Sequence, residues 1–195
     1  MENAPTGPVS IVHVDYPPWV DGVVNWNRRY GTDDEKMRLA IGIARQNVLA
    51  STGGPFGAGV FEADTGRLVS VGMNSVVRLN NSTLHAEMLA FMTAQARVGT
   101  YSLSSSGLPT HELFTSCEPC AMCLGATLWT GVKRVVCGAA REDVEALGFD
   151  EGPVFPASYR YLEDRGVTFV RHVLRAEARG VLQLYQEMSG PIYNR

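Results

Sequence analysis

The chain has 195 residues, of which 45% are hydrophobic and 19% charged, and it carries a formal net charge of −3 with a pI near 5.8. This length and composition are typical of one globular domain with a hydrophobic core. They argue against a nucleic-acid partner, which would need a basic patch, and against a membrane span, which would need about eighteen consecutive apolar residues.

The N-terminus and the cysteines indicate the cellular compartment. No basic start precedes an apolar run, so we expect no secretory signal. Three of the four cysteines lie between positions 117 and 123, which is too clustered for a disulfide framework. We therefore expect a cytoplasmic protein.

Residues 1–30 have the composition of an N-terminal extended arm. Pro5, Pro8, Pro17 and Pro18 argue against a helix there. The aromatic residues of the arm predict that it packs onto another surface, which the sequence does not specify. Residues 31–195 then form the main domain, which includes a C-terminal helix and tail.

The main domain alternates helical and strand patterns. A helix is predicted from Thr32 or Asp33 onward, followed by strands in "GAGVFEA" and "LVSVGMNSVV". Next come a helix in "HAEMLAFMTAQARVG", a strand in "HELFTS", a helix in "PCAMCLGATLWTG" and a strand in "VKRVVCGA". A short helix in "EDVEALG", a strand in "VTFVRHV" and a helix in "RAEARGVLQLYQEM" complete the chain. This alternation predicts an α/β domain whose sheet is covered on both faces.

Two short motifs each open a predicted helix. Cys120 and Cys123 stand three apart on a first helical turn, where the helix N-terminus favours thiolates. His85 and Glu87 stand at the start of the other helix. If both helix starts face one point, one nitrogen and two sulfurs form a zinc site with an open fourth position. Glu87 is then free to move protons.

Two other interpretations compete with this open zinc site. A redox dithiol explains Cys120 and Cys123 but leaves "HAE" without a role. A closed structural site, in which Cys117 is the fourth ligand, makes the chain a zinc-stabilised binding protein and leaves Glu87 idle. Cys117 is more simply a buried residue at the end of a strand.

The pattern H-x-E followed by P-C-x-x-C is the signature of zinc deaminases. With "GGPFGAGV", "GMNSVV", "HAEMLA", "TSCEPCAMCLGA" and "GFDEGP", the chain resembles the cytidine-deaminase-like superfamily over about residues 31–190. The resemblance implies a three-layer α/β/α sandwich around a mixed five-stranded sheet. It also implies that His85, Cys120 and Cys123 hold Zn²⁺ and that Glu87 shuttles protons.

The substrate is indicated by "ALGFDEGP", which resembles the guanine deaminases of this superfamily. There an acidic residue after Gly-Phe-Asp reaches the purine, and here that position is Glu151, where many relatives have Asp. A carboxylate suits the N–H and amino donors of guanine. By the same resemblance Asn74 hydrogen-bonds the base and Phe56 lines the pocket. Trp129 and the tail "GPIYNR" match guanine-deaminase segments, and Trp129 is predicted as a third substrate-binding residue.

The sequence therefore predicts a guanine deaminase that acts on a small nucleobase, with related aminotriazines such as ammeline as further substrates. A cytosine or cytidine deaminase and a tRNA adenosine deaminase are the enzymatic alternatives. The apolar termini and the family resemblance predict a homodimer. In that family the C-terminal segment can cross to the partner subunit and help to cover the site.

Overall fold

The computed structural model describes residues 11–194, so the first ten residues of the predicted arm and Arg195 lie outside the described part. The helices of this part are α1 (Val20–Val23), α2 (Asp33–Leu49), α3 (Ala86–Val98), α4 (Ala121–Thr130), α5 (Arg141–Glu145), α6 (Pro156–Glu163) and α7 (Arg175–Glu187). The strands are β1 (Gly57–Glu62), β2 (Leu68–Met73), β3 (His111–Cys117), β4 (Arg134–Ala139) and β5 (Thr168–Val170). None of these helices is both long and apolar enough to cross a membrane.

The five strands form one mixed sheet in the order β2-β1-β3-β4-β5. Strand β1 is antiparallel to both β2 and β3, whereas β3, β4 and β5 are parallel. Because β2 and β3 both oppose β1, they run in the same direction. The carboxyl ends of β2, β3 and β4 and the start of β1 therefore meet at one edge of the sheet, the place where α/β proteins bind their ligands.

Helices cover both faces of the sheet, which confirms the predicted three-layer α/β/α architecture. One core contains apolar residues of α2 and α7 packed on Phe61, Phe114 and Val136. The other contains residues of α3, α4 and α6 packed on Val60, Leu113 and Val135. Neighbouring strand residues thus contribute to opposite cores, as the alternation of side chains along a strand requires.

Helix α2 begins where the sequence predicts it. The Thr32 hydroxyl accepts a hydrogen bond from the Glu35 amide, and the Glu35 carboxylate accepts one from the Thr32 amide in return. This capping box satisfies two donors that a helix start otherwise leaves without partners.

The described part of the predicted arm, from residue 11 onward, packs on the remainder of the chain, and it is not wholly extended. The Tyr16 hydroxyl donates to the Val71 carbonyl at 2.9 Å, and Trp19 Nε1 donates to Thr52 Oγ1 at 2.9 Å. The single-turn helix α1 follows the two prolines, and its Val20 amide donates to the Pro17 carbonyl. The prolines lie before this turn, where their missing N–H groups cost no helical hydrogen bond. The division of the chain at residue 30 stays a prediction.

Helix α6 was missed in the sequence analysis. It starts at Pro156, a residue well suited to a first helical turn, and it buries Tyr159 and Leu162, three positions apart. These two side chains join the core beneath α3 and α4. The loop that precedes α6 contains Glu151, so the helix anchors one end of that loop.

Candidate active site

Helix α3 carries the first of the two motifs at its N-terminus. His85 is the N-cap residue, with extended backbone angles, and Glu87 lies in the first turn. Leu84 and Ala86 on either side are fully buried, so the start of the helix is held in the core. This placement allows His85 and Glu87 to face the same point although they are only two residues apart.

Helix α4 carries the second motif in the same way. Cys120 is its N-cap residue and Cys123 lies in its first turn. The helix begins at Ala121, so Pro119, the first residue of the predicted helix "PCAMCLGATLWTG", stands just before the cap and outside the helix. The Ala121 amide donates to the Glu151 carbonyl at 2.9 Å, which joins this helix start to the loop of Glu151.

The two helix starts bring together one nitrogen and two sulfur ligands. The candidate ligand atoms of His85, Cys120 and Cys123 all lie within 4.8 Å of one another. The Cys120 sulfur is 3.5 Å from His85 Nδ1. A hydrogen bond from the Cys123 thiol, with help from His85, lowers the pKa of Cys120 to about 4, so this ligand is a thiolate. The donor set and its spacing fit zinc with a fourth position open.

Cys117 does not belong to this group. Its thiol donates to the Ala140 carbonyl at 3.8 Å, and burial raises its pKa well above the ordinary value. Within residues 11–194, the group of potential metal ligands around His85 contains Cys120 and Cys123 and excludes Cys117. The geometry therefore favours the open site over the closed one.

Glu87 is a buried carboxylate beside the ligand group. Thr115 Oγ1 donates to Glu87 Oε1 at 3.0 Å, and the Cys123 thiol donates to Glu87 Oε2 at 3.4 Å. Burial raises the pKa of Glu87, the negative charge of Cys120 raises it further, and the Thr115 hydrogen bond opposes the rise. A carboxylate with a raised pKa is suited to accept and return a proton.

Glu151 lines the same cavity as His85, Glu87 and Cys120. It is 8% exposed, and burial raises its pKa to about 8, with the charges of Cys120 and Glu87 adding to the effect. The general tendency of acidic residues to lie at the surface therefore does not hold here. Three carboxylates line the cavity, those of Glu87, Glu118 and Glu151, and of these Glu87 and Glu151 are the buried ones.

Phe56 and Asn74 lie at the edge where β1 starts and β2 ends. Phe56 lines the cavity and packs edge-on against Phe149, with ring centroids 5.3 Å apart. The backbone N–H of Asn74 donates to the Phe56 carbonyl. The side-chain oxygen of Asn74, Oδ1, accepts a hydrogen bond from the backbone N–H of Gly54 at 3.3 Å. Asn74 Nδ2 is buried without a hydrogen-bond partner in the described part of the chain. An uncompensated buried donor is costly unless a ligand uses it.

Trp129 lies elsewhere. It is near the end of α4, with 77% of its surface exposed, and it is not among the residues that line the cavity. Its assigned role in substrate binding stays a prediction without support from the geometry of a single chain.

The C-terminal tail covers the cavity of its own chain. Tyr193 and Asn194 line it, Asn194 Nδ2 donates to the Asp150 carbonyl at 2.8 Å, and the Asp150 amide donates to the Asn194 carbonyl at 3.1 Å. The cavity beneath encloses about 20 Å³, which is room for a water but not for a purine.

Sequence reasoning missed three of the surrounding residues. Thr115 lies two residues before Cys117, Glu118 directly follows it, and Tyr193 lies in the tail. Only a family resemblance indicates a role for the tail, and the polar residues before "EPC" are typical of an ordinary strand end. A clear signal was available only for Glu118, which directly precedes the proline of the second motif.

Comparisons with known proteins agree with this geometry. The family model of the cytidine and deoxycytidylate deaminase zinc-binding region matches residues 31–139. Guanine deaminase of Bacillus subtilis (strain 168) is 35% identical over 138 residues, which cover 71% of this chain and 84% of that protein. The chain belongs to the cytidine and deoxycytidylate deaminase zinc-binding family, and the zinc expected at His85, Cys120 and Cys123 is a property of that family.

Two solved structures extend the likeness to nearly the whole chain. Guanine deaminase from Nitrosomonas europaea is 41% identical, with a TM-score of 0.88 over 93% of this chain and 99% of that one. The protein NE0047 in complex with 2,6-diaminopurine is 43% identical, with a TM-score of 0.88 over 94% of this chain and 97% of that one.

Proposed function

We propose that the chain is a zinc-dependent guanine deaminase, which converts guanine and water into xanthine and ammonia. The observation that carries the proposal is the position of Glu151. This second buried carboxylate shares a cavity with Glu87 and with the ligand group of His85, Cys120 and Cys123. A likeness to guanine deaminases over most of the chain supports the same substrate.

His85, Cys120 and Cys123 would hold the zinc ion. A zinc ion with these ligands supplies hydroxide at neutral pH by lowering the pKa of a bound water, which makes attack on an amino-bearing ring carbon feasible. The protein contributes the proton transfers. Glu87 takes a proton from the attacking water, passes it to a ring nitrogen, and then assists the loss of ammonia.

Glu151, Asn74 and Phe56 would bind the base. A zinc ion bound nearby would lower the pKa of Glu151, and as a carboxylate this residue accepts hydrogen bonds from the N–H and amino groups along one edge of guanine. The buried Asn74 Nδ2 has a hydrogen bond to donate, and guanine offers carbonyl and ring-nitrogen acceptors for it. Phe56 supplies an apolar wall for the flat ring. Related aminotriazines such as ammeline present similar donors and are proposed as further substrates.

The assembly and compartment form part of the same proposal. We infer a homodimer, supported by exposed aromatic residues near an apolar groove between α4 and α6: Trp129, Phe155 and Tyr161. The four free cysteines support a cytoplasmic location, and the acidic balance supports a small-molecule substrate rather than a nucleic acid. Light scattering that gives the mass of a single chain at working concentration would contradict the dimer.

A panel of bases tests the function. Zinc-loaded protein is mixed with guanine, adenine, cytosine, cytidine, ammeline or a tRNA anticodon stem-loop, and product formation is followed in the ultraviolet together with ammonia release. Guanine is expected to give the highest kcat/KM, with xanthine as the product. Preference for cytosine or cytidine would make the chain a pyrimidine deaminase, and activity confined to a tRNA anticodon stem would support the tRNA adenosine alternative.

A further inference from the structure

Thr115 has a fixed position in the middle of the sheet. It lies on β3, where it is paired with Ala58 of β1 on one side and with Cys137 of β4 on the other. Thr115 is only 1% exposed to solvent. A side chain on a central strand with neighbours on both sides has little freedom to move, so it is a rigid point of reference for groups that contact it.

The hydroxyl of Thr115 contacts one oxygen of Glu87. Thr115 Oγ1 donates to Glu87 Oε1 at 3.0 Å, whereas Oε2 lies 3.4 Å from the Cys123 sulfur. Within residues 11–194, these are the two side chains that hydrogen-bond the carboxylate. The two oxygens are therefore not equivalent: one is held by the sheet, and the other faces a zinc ligand.

We propose that Thr115 is a positioning residue that assigns different tasks to the two oxygens of Glu87. The inference rests on the proposed deamination, in which Glu87 moves protons. The Thr115 hydroxyl keeps its proton and donates its hydrogen bond to Oε1 of Glu87 throughout the reaction. Oε2 therefore both accepts the proton of the attacking water and returns it to the substrate. No net proton is gained or lost by Thr115. The same contact prevents rotation of a carboxylate that would otherwise turn about its last bond.

Loss of this contact has a definite kinetic consequence. Glu87 still binds protons in Thr115→Val, but its oxygens are no longer distinguished and Oε1 loses its buried partner. We expect kcat to fall by roughly tenfold or more, the size typical of a lost hydrogen bond to a charged group. KM should stay within about twofold, because Thr115 is not among the residues that line the substrate cavity.

The experiment compares four variants with the wild type: Thr115→Val, Thr115→Ala, Thr115→Ser and the control Thr130→Val. Thr130 is also a buried threonine, but its hydroxyl donates to the Thr127 carbonyl at the end of α4. The readouts are zinc per chain, Tm, and kcat and KM normalised to bound zinc. The inference predicts a low kcat for the Val and Ala variants, recovery of most of the activity by Ser, and wild-type kinetics for Thr130→Val.

The outcomes are separable. Wild-type kcat per zinc in Thr115→Ala or Thr115→Val would overturn the inference. So would an equal loss in Thr115→Ser, because the loss would then follow the methyl group and not the hydroxyl. If Thr115→Val does not fold, the test compares Thr115→Ala with Thr115→Ser instead. If the wild type leaves guanine unchanged, the proposed substrate is wrong, and the variants are then compared on the base that the wild type does deaminate.

Discussion

Gly72 of β2 lies directly against Ala86, the first residue of α3. A methyl group added at Gly72 would stand 1.9 Å from the Ala86 carbonyl oxygen and 2.6 Å from the Ala90 amide nitrogen. No residue other than glycine fits this contact without moving the helix. This close approach sets the distance between the sheet and the start of α3, which carries His85 and Glu87.

Gly72→Ala is therefore expected to weaken both the fold and the zinc site. Displacement of the α3 start moves His85 away from the two cysteines, so zinc affinity and activity should fall together with a drop of about 1–3 kcal/mol in the free energy of unfolding. Gly42→Ala in α2 is the control, because nothing lies within 4 Å of its added methyl group. We expect the control to be neutral or stabilised by up to about 1 kcal/mol. Metal titration and thermal unfolding distinguish the two variants.

The zinc site itself should contain one metal per chain, bound by one nitrogen and two sulfurs. Cys123→Ala removes a ligand of the group and should lose the metal, whereas Cys117→Ala should retain it because that thiol bonds to the Ala140 carbonyl. Metal analysis and X-ray absorption measure this directly. A shell of three sulfurs in the wild type would revive the closed structural site.

Glu87→Gln should retain fold and zinc and lose nearly all turnover. The amide preserves the size of the side chain and its contact with Thr115, but it cannot accept a proton. General base catalysis is typically worth at least about 100-fold, and here it serves several steps. Steady-state rates with guanine, expressed per bound zinc, provide the test. Activity near that of the wild type would remove Glu87 from the mechanism.

Glu151→Gln should reduce guanine turnover by roughly tenfold or more, because a donor of the amide then faces a donor of the base. Zinc content should stay constant, since Glu151 is not one of the ligands. Glu151→Asp should retain part of the activity, because the shorter side chain keeps the carboxylate. The control substrate is a base that lacks the donor edge of guanine, for which both variants should resemble the wild type.

The ion pairing of Asp143 makes the stability of the fold depend on pH in a way that is unrelated to catalysis. Hydrogen bonds from Arg175, aided by the Ala140 amide, lower the pKa of this carboxyl. Since the folded pKa is depressed, the stabilisation is complete above the unfolded pKa of about 4 and is lost as the pH falls through the folded pKa. Asp143→Asn should cost about 1 kcal/mol or more at pH 7. Between pH 5 and pH 3, the free energy of unfolding of Asp143→Asn should fall less steeply than that of the wild type. Urea titrations at each pH measure this difference.

Much of the site was predictable because its motifs are local. The positions of His85 and Cys120 at helix starts, and the spacing to Glu87 and Cys123, follow from short stretches whose geometry is set by helix starts, although the cap role of Cys120 was not predicted. The strand and helix patterns likewise predicted an α/β domain with a sheet covered on both faces. The single-turn helix α1 and helix α6 were missed because short elements next to prolines resemble loops in composition.

By itself, the sequence was enough to predict which residues would carry the chemistry: the ligand set, the acid at position 87 and the acid at position 151. Only the tertiary structure decided which of these groups meet and what surrounds them. The order β2-β1-β3 brings the starts of α3 and α4 to one edge, and it places the Thr115 hydroxyl on Glu87. The same folding puts Tyr193 over the cavity and leaves Trp129 outside it. The physical reason is that these contacts join residues far apart in the chain through strand pairing and core packing, which no local spacing encodes.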